Sequence, residues 1–237
     1  MLRRAATSVL LLALSACAGQ QPPRTPDQVI NRALRGAPGL AQPSKVVAAE
    51  LGFARMAQEV GQWTAFAEYA AEDGVMFVPE AVNAKTWLKG RANPAQAVTW
   101  QPHQVWMSCD GSLAMTKGAW QRPEGLNGYF TTVWQRQKDG EYRWVMDQGD
   151  ILAEPLVEPE FIQTQVADCS NLGAITPPAL SVPTGDGQWL KLGESSDKTL
   201  RWIVRVESDG SRYAAMEYWN GREFERPLAV SVAAPEQ

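Results

Sequence analysis

Apolar positions recur at helical spacing from Ser44 to Leu88 and alternate with a period of two from Gln104 onward, so the pattern predicts a helical layer followed by strands. Ser44 is placed to cap a helix with Val47, Leu51, Ala54 and Gln58 along one stripe and Phe53, Met56 and Val60 beside it, ended by Gly61. Trp63, Phe66, Ala67 and Ala70 repeat at helical spacing in a second helix. Val75 to Val78 reads as a short strand stopped by Pro79, and Asn83 to Gly90 as a further helical turn around Trp87 and Leu88.

Four runs rich in Val, Thr, Tyr, Phe and Trp follow: Gln104 to Ser108, Leu113 to Gln121, Gly128 to Gln137 and Tyr142 to Gly149. Asp110-Gly111 and Asp139-Gly140 separate neighbouring runs with the chemistry of tight hairpin turns, so these strands form an antiparallel meander. A second β-rich segment begins after Pro155. Its runs are Trp189 to Leu192, Thr199 to Glu207, Arg212 to Trp219 and Glu223 to Val232, with Asp209-Gly210 and Asn220-Gly221 as turns. The class is therefore α+β: helices packed on an antiparallel sheet over residues 44–154, with a small all-β appendage over residues 155–237.

Arg3 and Arg4 precede an apolar run from Val9 to Leu14 and the stretch Leu14-Ser15-Ala16-Cys17. This order resembles the lipobox of bacterial lipoproteins, and the apolar run falls far short of the roughly 20 residues of a membrane span. The resemblance implies a signal peptide over residues 1–16, lipid on Cys17 and a membrane as partner through that lipid. In such lipoproteins a residue other than Asp after the cysteine sends the chain to the outer membrane, and Ala18 is compatible with its periplasmic face. Residues 17–43 carry Pro22, Pro23, Pro26, Pro38 and Pro43 and read as a tether.

Without residues 1–16 the chain has 20 basic and 26 acidic residues, a net charge of −6, with no basic run, which argues against nucleic acid as partner. Once Cys17 is assigned to lipid, Cys109 and Cys169 remain as an even pair in an oxidising compartment. A disulfide is the expectation, with two buried thiols as the alternative. One histidine and no Cys-x-x-Cys disfavour a metal site, and no cofactor is implied.

Ala65-Phe66-Ala67-Glu68-Tyr69-Ala70-Ala71-Glu72-Asp73-Gly74-Val75, Thr132-Val133-Trp134-Gln135-Arg136 with Asp139-Gly140, and Trp144-Val145-Met146-Asp147 resemble the nuclear transport factor 2-like (NTF2-like) superfamily. Within it they look most like the SnoaL-like branch and the domain of unknown function 4440 group. The resemblance covers under half the chain and implies a bent sheet wrapped around helices into a cone with an open, mostly apolar mouth. Some members are isomerases, dehydratases, cyclases or epoxide hydrolases and many only bind, so the fold does not fix the function.

His103 lies between aromatics, and Asp147 falls on the last strand of the meander. Together they are the candidate catalytic pair, with structural roles as the alternative for each. The rings expected to meet a ligand are Trp63, Phe66, Tyr69, Trp100, Trp106, Trp120, Tyr129 and Trp134. Three readings follow. The first is a lipid-anchored envelope protein binding a small apolar or aromatic molecule without chemistry. The second is an isomerase- or dehydratase-type enzyme using His103 with Asp147 or a Tyr. The third is an interaction module whose sheet face pairs with a partner or, as a homodimer, with a second copy.

Overall fold

The structure, a computed structural model, describes residues 41–176, 187 and 189–235. The expected signal peptide, Cys17 and nearly all of the tether lie outside the described residues. Three helices come first: α1 (Pro43–Glu59), α2 (Gln62–Tyr69) and, after strands β1 (Ala70–Phe77) and β2 (Ala81–Asn83), α3 (Ala84–Leu88). The N-terminus of α1 is set by Pro43 in its first turn after Gln42, rather than by a Ser44 cap, since proline needs no amide partner there. Asn83 caps α3 by accepting from the Thr86 amide at 2.9 Å.

The face that α1 buries is offset by one position from the stripe expected. Val46, Glu50, Phe53 and Ala57 point into the core, while Leu51 and Gln58 are exposed. A charged residue in the middle of the buried face broke its apolar pattern and passed the appearance of a stripe to the neighbouring face.

Strands β3 (Thr99–Met107), β4 (Leu113–Gln121), β5 (Asn127–Arg136), β6 (Tyr142–Leu152) and β7 (Gln163–Val166) join β1 and β2 in a seven-stranded sheet ordered β2-β1-β6-β5-β4-β3-β7. The meander β3 to β6 is antiparallel as expected, but the sheet is mixed, because β1 runs parallel to β6 and β7 parallel to β3. Register shifts interrupt the β1–β6, β3–β4 and β5–β6 ladders, and such bulges bend and twist a sheet. The strand β7 comes from the segment expected to belong to the appendage, so the first sheet extends past residue 154.

The second sheet is ordered β11-β10-β9-β8, from β8 (Trp189–Glu194), β9 (Leu200–Val206), β10 (Arg212–Trp219) and β11 (Phe224–Val232). All its pairs are antiparallel. The turn glycines Gly111, Gly140, Gly210 and Gly221 all have positive φ, which is why Asp-Gly and Asn-Gly read correctly as turns.

Two cores result. On the concave side of the first sheet, Val46, Phe53, Ala65, Met107, Trp134 and Trp144 pack between helices and strands. On its other side Trp106, Leu113, Met115 and Val133 meet Leu200, Trp202, Val204 and Met216 of the second sheet. Both faces of β5 are therefore covered, which explains its unbroken buried run from Gly128 to Trp134. The face where a partner or a second copy was expected is occupied by the chain's own second sheet.

A disulfide joins Cys109, next to the β3–β4 turn, to Cys169, in the segment between β7 and the second sheet. Around it the Cys109 amide donates to Thr199 Oγ1 at 2.9 Å and the Asp168 amide donates to the Trp219 carbonyl at 2.8 Å. The bridge thus lies where the two sheets are tied together.

Candidate ligand-binding site

The helices do not fill the hollow of the first sheet. A cavity of about 640 Å³ remains, walled by Phe53 of α1, Gln62 and Phe66 of α2, Trp100 of β3, Trp120 of β4, Phe130 of β5 and Asp147 of β6. Phe53 organises this wall, with ring centroids 4.8 Å from Phe66 and 4.7 Å from Trp100 in edge-to-face contact. The rim is formed by Phe77, Arg122 and Ile151, and by two contributions from the second sheet: Arg212 of β10 and residues 232–235 at the end of β11.

Asp147 is half-buried on the cavity wall. Thr132 Oγ1 donates to its Oδ2 at 2.7 Å, while no protein donor reaches Oδ1 among the described residues. Burial pushes its pKa up to about 7; the Thr132 bond opposes the rise, the nearby Glu50 carboxyl adds to it and the Arg212 cation counters it. At neutral pH this group is thus poised between acid and base.

Glu50 lies behind the wall, fully buried. Its Oε1 accepts from the Trp100 indole N–H at 2.9 Å, and its Oε2 accepts from Thr116 Oγ1 at 2.6 Å and from the Trp134 indole N–H at 3.0 Å. Desolvation raises its pKa, and the three donors pull the other way. The carboxyl fixes one wall ring, Trp100, and one core ring, Trp134.

The rim owes its shape to the end of β1. Pairing of β1 with β6 stops at Met76 opposite Asp147, so Gln148 to Leu152 form a free edge beside the cavity. Two of its backbone groups, the Gly149 carbonyl and the Ile151 amide, are met locally. Arg212 Nη2 donates to the Gly149 carbonyl at 3.0 Å, Arg212 Nε donates to Gln148 Oε1 at 3.2 Å, and the Ile151 amide donates to Asp150 Oδ1 at 2.8 Å.

No family model matches the chain, and no curated protein matches it. Among solved structures it is similar to an NTF2-like protein of unknown function from Methylobacillus flagellatus, at 13% identity and TM-score 0.38, over 50% of this chain and 100% of that one. It is also similar to ActVI-ORFA from Streptomyces coelicolor, at 17% identity and TM-score 0.36, over 46% of this chain and 96% of that one. In this chain three helices occupy the hollow of a bent sheet, in the chain order that the sequence resemblance implied. The fold is α+β, with helices packed on a bent mixed sheet.

Within this hollow the candidate residues divide. Phe66, Trp100, Trp120 and Asp147 line the cavity. Trp63 packs on Trp87 and Phe66 outside it, and Tyr69 lies against Phe53 and Trp134. Trp134 is in the core on Glu50, Trp106 is under the second sheet, and Tyr129 is buried outside the wall. His103 is not brought to Asp147. It is the extra residue of the β3 bulge, between the pairs Pro102 opposite Gly118 and Gln104 opposite Lys117, and it faces a separate small cleft with Lys117, Leu156 and Val157. There burial lowers its pKa, Glu158 opposing and Lys117 assisting. The same bulge puts Trp100 and Trp106 on opposite faces, although their even spacing reads as one face.

Sequence reasoning missed Phe53, Phe130, Gln62 and, on the rim, Phe77, Arg122 and Arg212. Phe53 carried a signal: it lies three residues after Glu50, at helical spacing on one face. For Arg212 no local signal exists, because its position depends on how the second sheet packs. Among the described residues no group of three or more His, Cys, Asp and Glu is placed to hold a metal.

Proposed function

We propose that the chain is a lipid-anchored cell-envelope protein that holds a small apolar or aromatic molecule in its hollow. The observation that carries this reading is the cavity of about 640 Å³ with Phe53, Phe66, Trp100, Trp120 and Phe130 on its walls. Ligand pockets fall within about 300–1,000 Å³ and pair apolar walls with a few polar groups that orient the guest. Asp147 Oδ1 is such a group, giving or taking a hydrogen bond according to its protonation. Native mass spectrometry of the protein extracted from its own envelope tests this directly: a retained small molecule supports it, and a uniformly empty chain opposes it. Lipid attachment is tested separately, by metabolic labelling with an alkyne fatty acid that Cys17→Ser should abolish.

A second reading is favoured by the same carboxyl. A group titrating near neutral pH inside an apolar hollow suits proton abstraction beside a carbonyl, as an isomerase-type enzyme requires. His103, facing another cleft, has no part in it. Incubation of cyclic ketones with the protein in D2O tests this reading: deuterium entering the α-position, and failing to enter with Asp147→Asn, would establish the chemistry.

A further inference from the structure

The second sheet does more than cover the first: it delivers a cation to the cavity rim. Arg212 is 7% exposed, and its direct contacts are neutral: the Gln148 side-chain oxygen, the Gly149 carbonyl and the face of Phe77 with 4.4 Å to the ring centroid, with the Asp147 and Asp150 carboxyls nearby but beyond ion-pair distance. No carboxylate is within ion-pair distance among the described residues, and Nη1 has no protein acceptor there. Burying a cation without an ion pair is costly, and it persists where a further partner completes it. Arg212 lines the cavity, so a guest in the cavity can be that partner.

We infer that the guest is an apolar monoanion: its body lies among the aromatic walls and its single negative charge meets Arg212. This rests on the binding reading above and names the ligand class. One charge is favoured over two because Asp147 and Asp150 line the same cavity, and carboxylates there would repel a dianion more strongly than a monoanion. The reach is short. Arg212 bonds the Gly149 carbonyl, two residues and about 7 Å along β6 from Asp147, so a molecule of one or two rings touches both.

Two probes with one skeleton separate the charge from the body. N-phenyl-1-naphthylamine is neutral, and 8-anilinonaphthalene-1-sulfonate is the same molecule with one sulfonate. Titrated by fluorescence against the full chain carrying Cys17→Ser, which removes competing acyl chains, the anion should bind about tenfold or more tighter than the neutral probe. Arg212→Gln should erase that preference with the neutral probe still bound, which also shows that the variant keeps its cavity. Arg212→Lys should retain most of the preference. Equal affinity of the two probes for the unsubstituted Arg212 protein would overturn the inference while sparing the binding reading, as would an unaltered preference in Arg212→Gln. Failure of both probes to bind would overturn both.

Discussion

Replacing Asp147 by asparagine should stabilise the protein at high pH and not at low pH. Burial raises this carboxyl from 3.8 to about 7. Between those values the folded chain holds a proton that the unfolded chain has lost, so stability falls as pH rises through the interval. Each unit is worth about 1.36 kcal/mol, and a rise of about three units makes the ionised group cost the fold about 4 kcal/mol above pH 8 and nothing below about pH 4. The asparagine side chain is nearly isosteric with aspartate and keeps an amide oxygen to accept from Thr132 Oγ1, so the main change in Asp147→Asn is removal of the charge. Cavity water relieves part of the cost, which places the gain at about 2–4 kcal/mol. Urea unfolding with the disulfide intact, at about pH 4, pH 7 and pH 9, reads this difference. A variant that gains equally at pH 4 and pH 9, or loses stability at pH 9, would refute the reasoning that desolvation dominates at this carboxyl.

Glu50→Ala removes the acceptor that Trp100, Trp134 and Thr116 share; Trp134 keeps Thr116 Oγ1 at 3.2 Å, so the change should cost about 1–3 kcal/mol in urea unfolding, with faster exchange of the Trp100 indole N–H proton by NMR. Replacing Cys109 and Cys169 together by serine opens a 60-residue loop and should lower stability by about 4 kcal/mol, visible as an earlier unfolding midpoint. Trp202→Ala leaves a void between the two sheets and should cost about 3–5 kcal/mol, measured the same way. His103→Ala should leave the affinity for N-phenyl-1-naphthylamine unchanged, because His103 is not among the residues that line the aromatic cavity.

The hairpins were legible because turn chemistry is local: Asp-Gly and Asn-Gly pairs mark glycines of positive φ whatever surrounds them. Strands β4 and β10 have the bounds their period-two runs suggest. What depends on distant partners was not legible. The buried face of α1 was hidden by Glu50, which is tolerated there only because Trp100, Thr116 and Trp134 converge on it from three strands. The polar run of β7 carries no alternating apolar signal, since its side chains are largely exposed and it is held by backbone pairing to β3. The wall residue Trp100 and the buried Trp106 differ only through the bulge at His103, which a regular count passes over. Asp147 could be named from its strand, but Arg212 reaches the same cavity from 65 residues further along the chain.

Occupation of the hollow by a guest can be measured directly. Ile151 is 52% exposed on the rim, so Ile151→Trp should obstruct the mouth without disturbing the core. Titration of N-phenyl-1-naphthylamine, followed by energy transfer from the wall tryptophans, should show saturable binding of one probe per chain, lost in Ile151→Trp. Absence of saturable binding, or binding that Ile151→Trp leaves intact, would contradict a ligand site in this cavity.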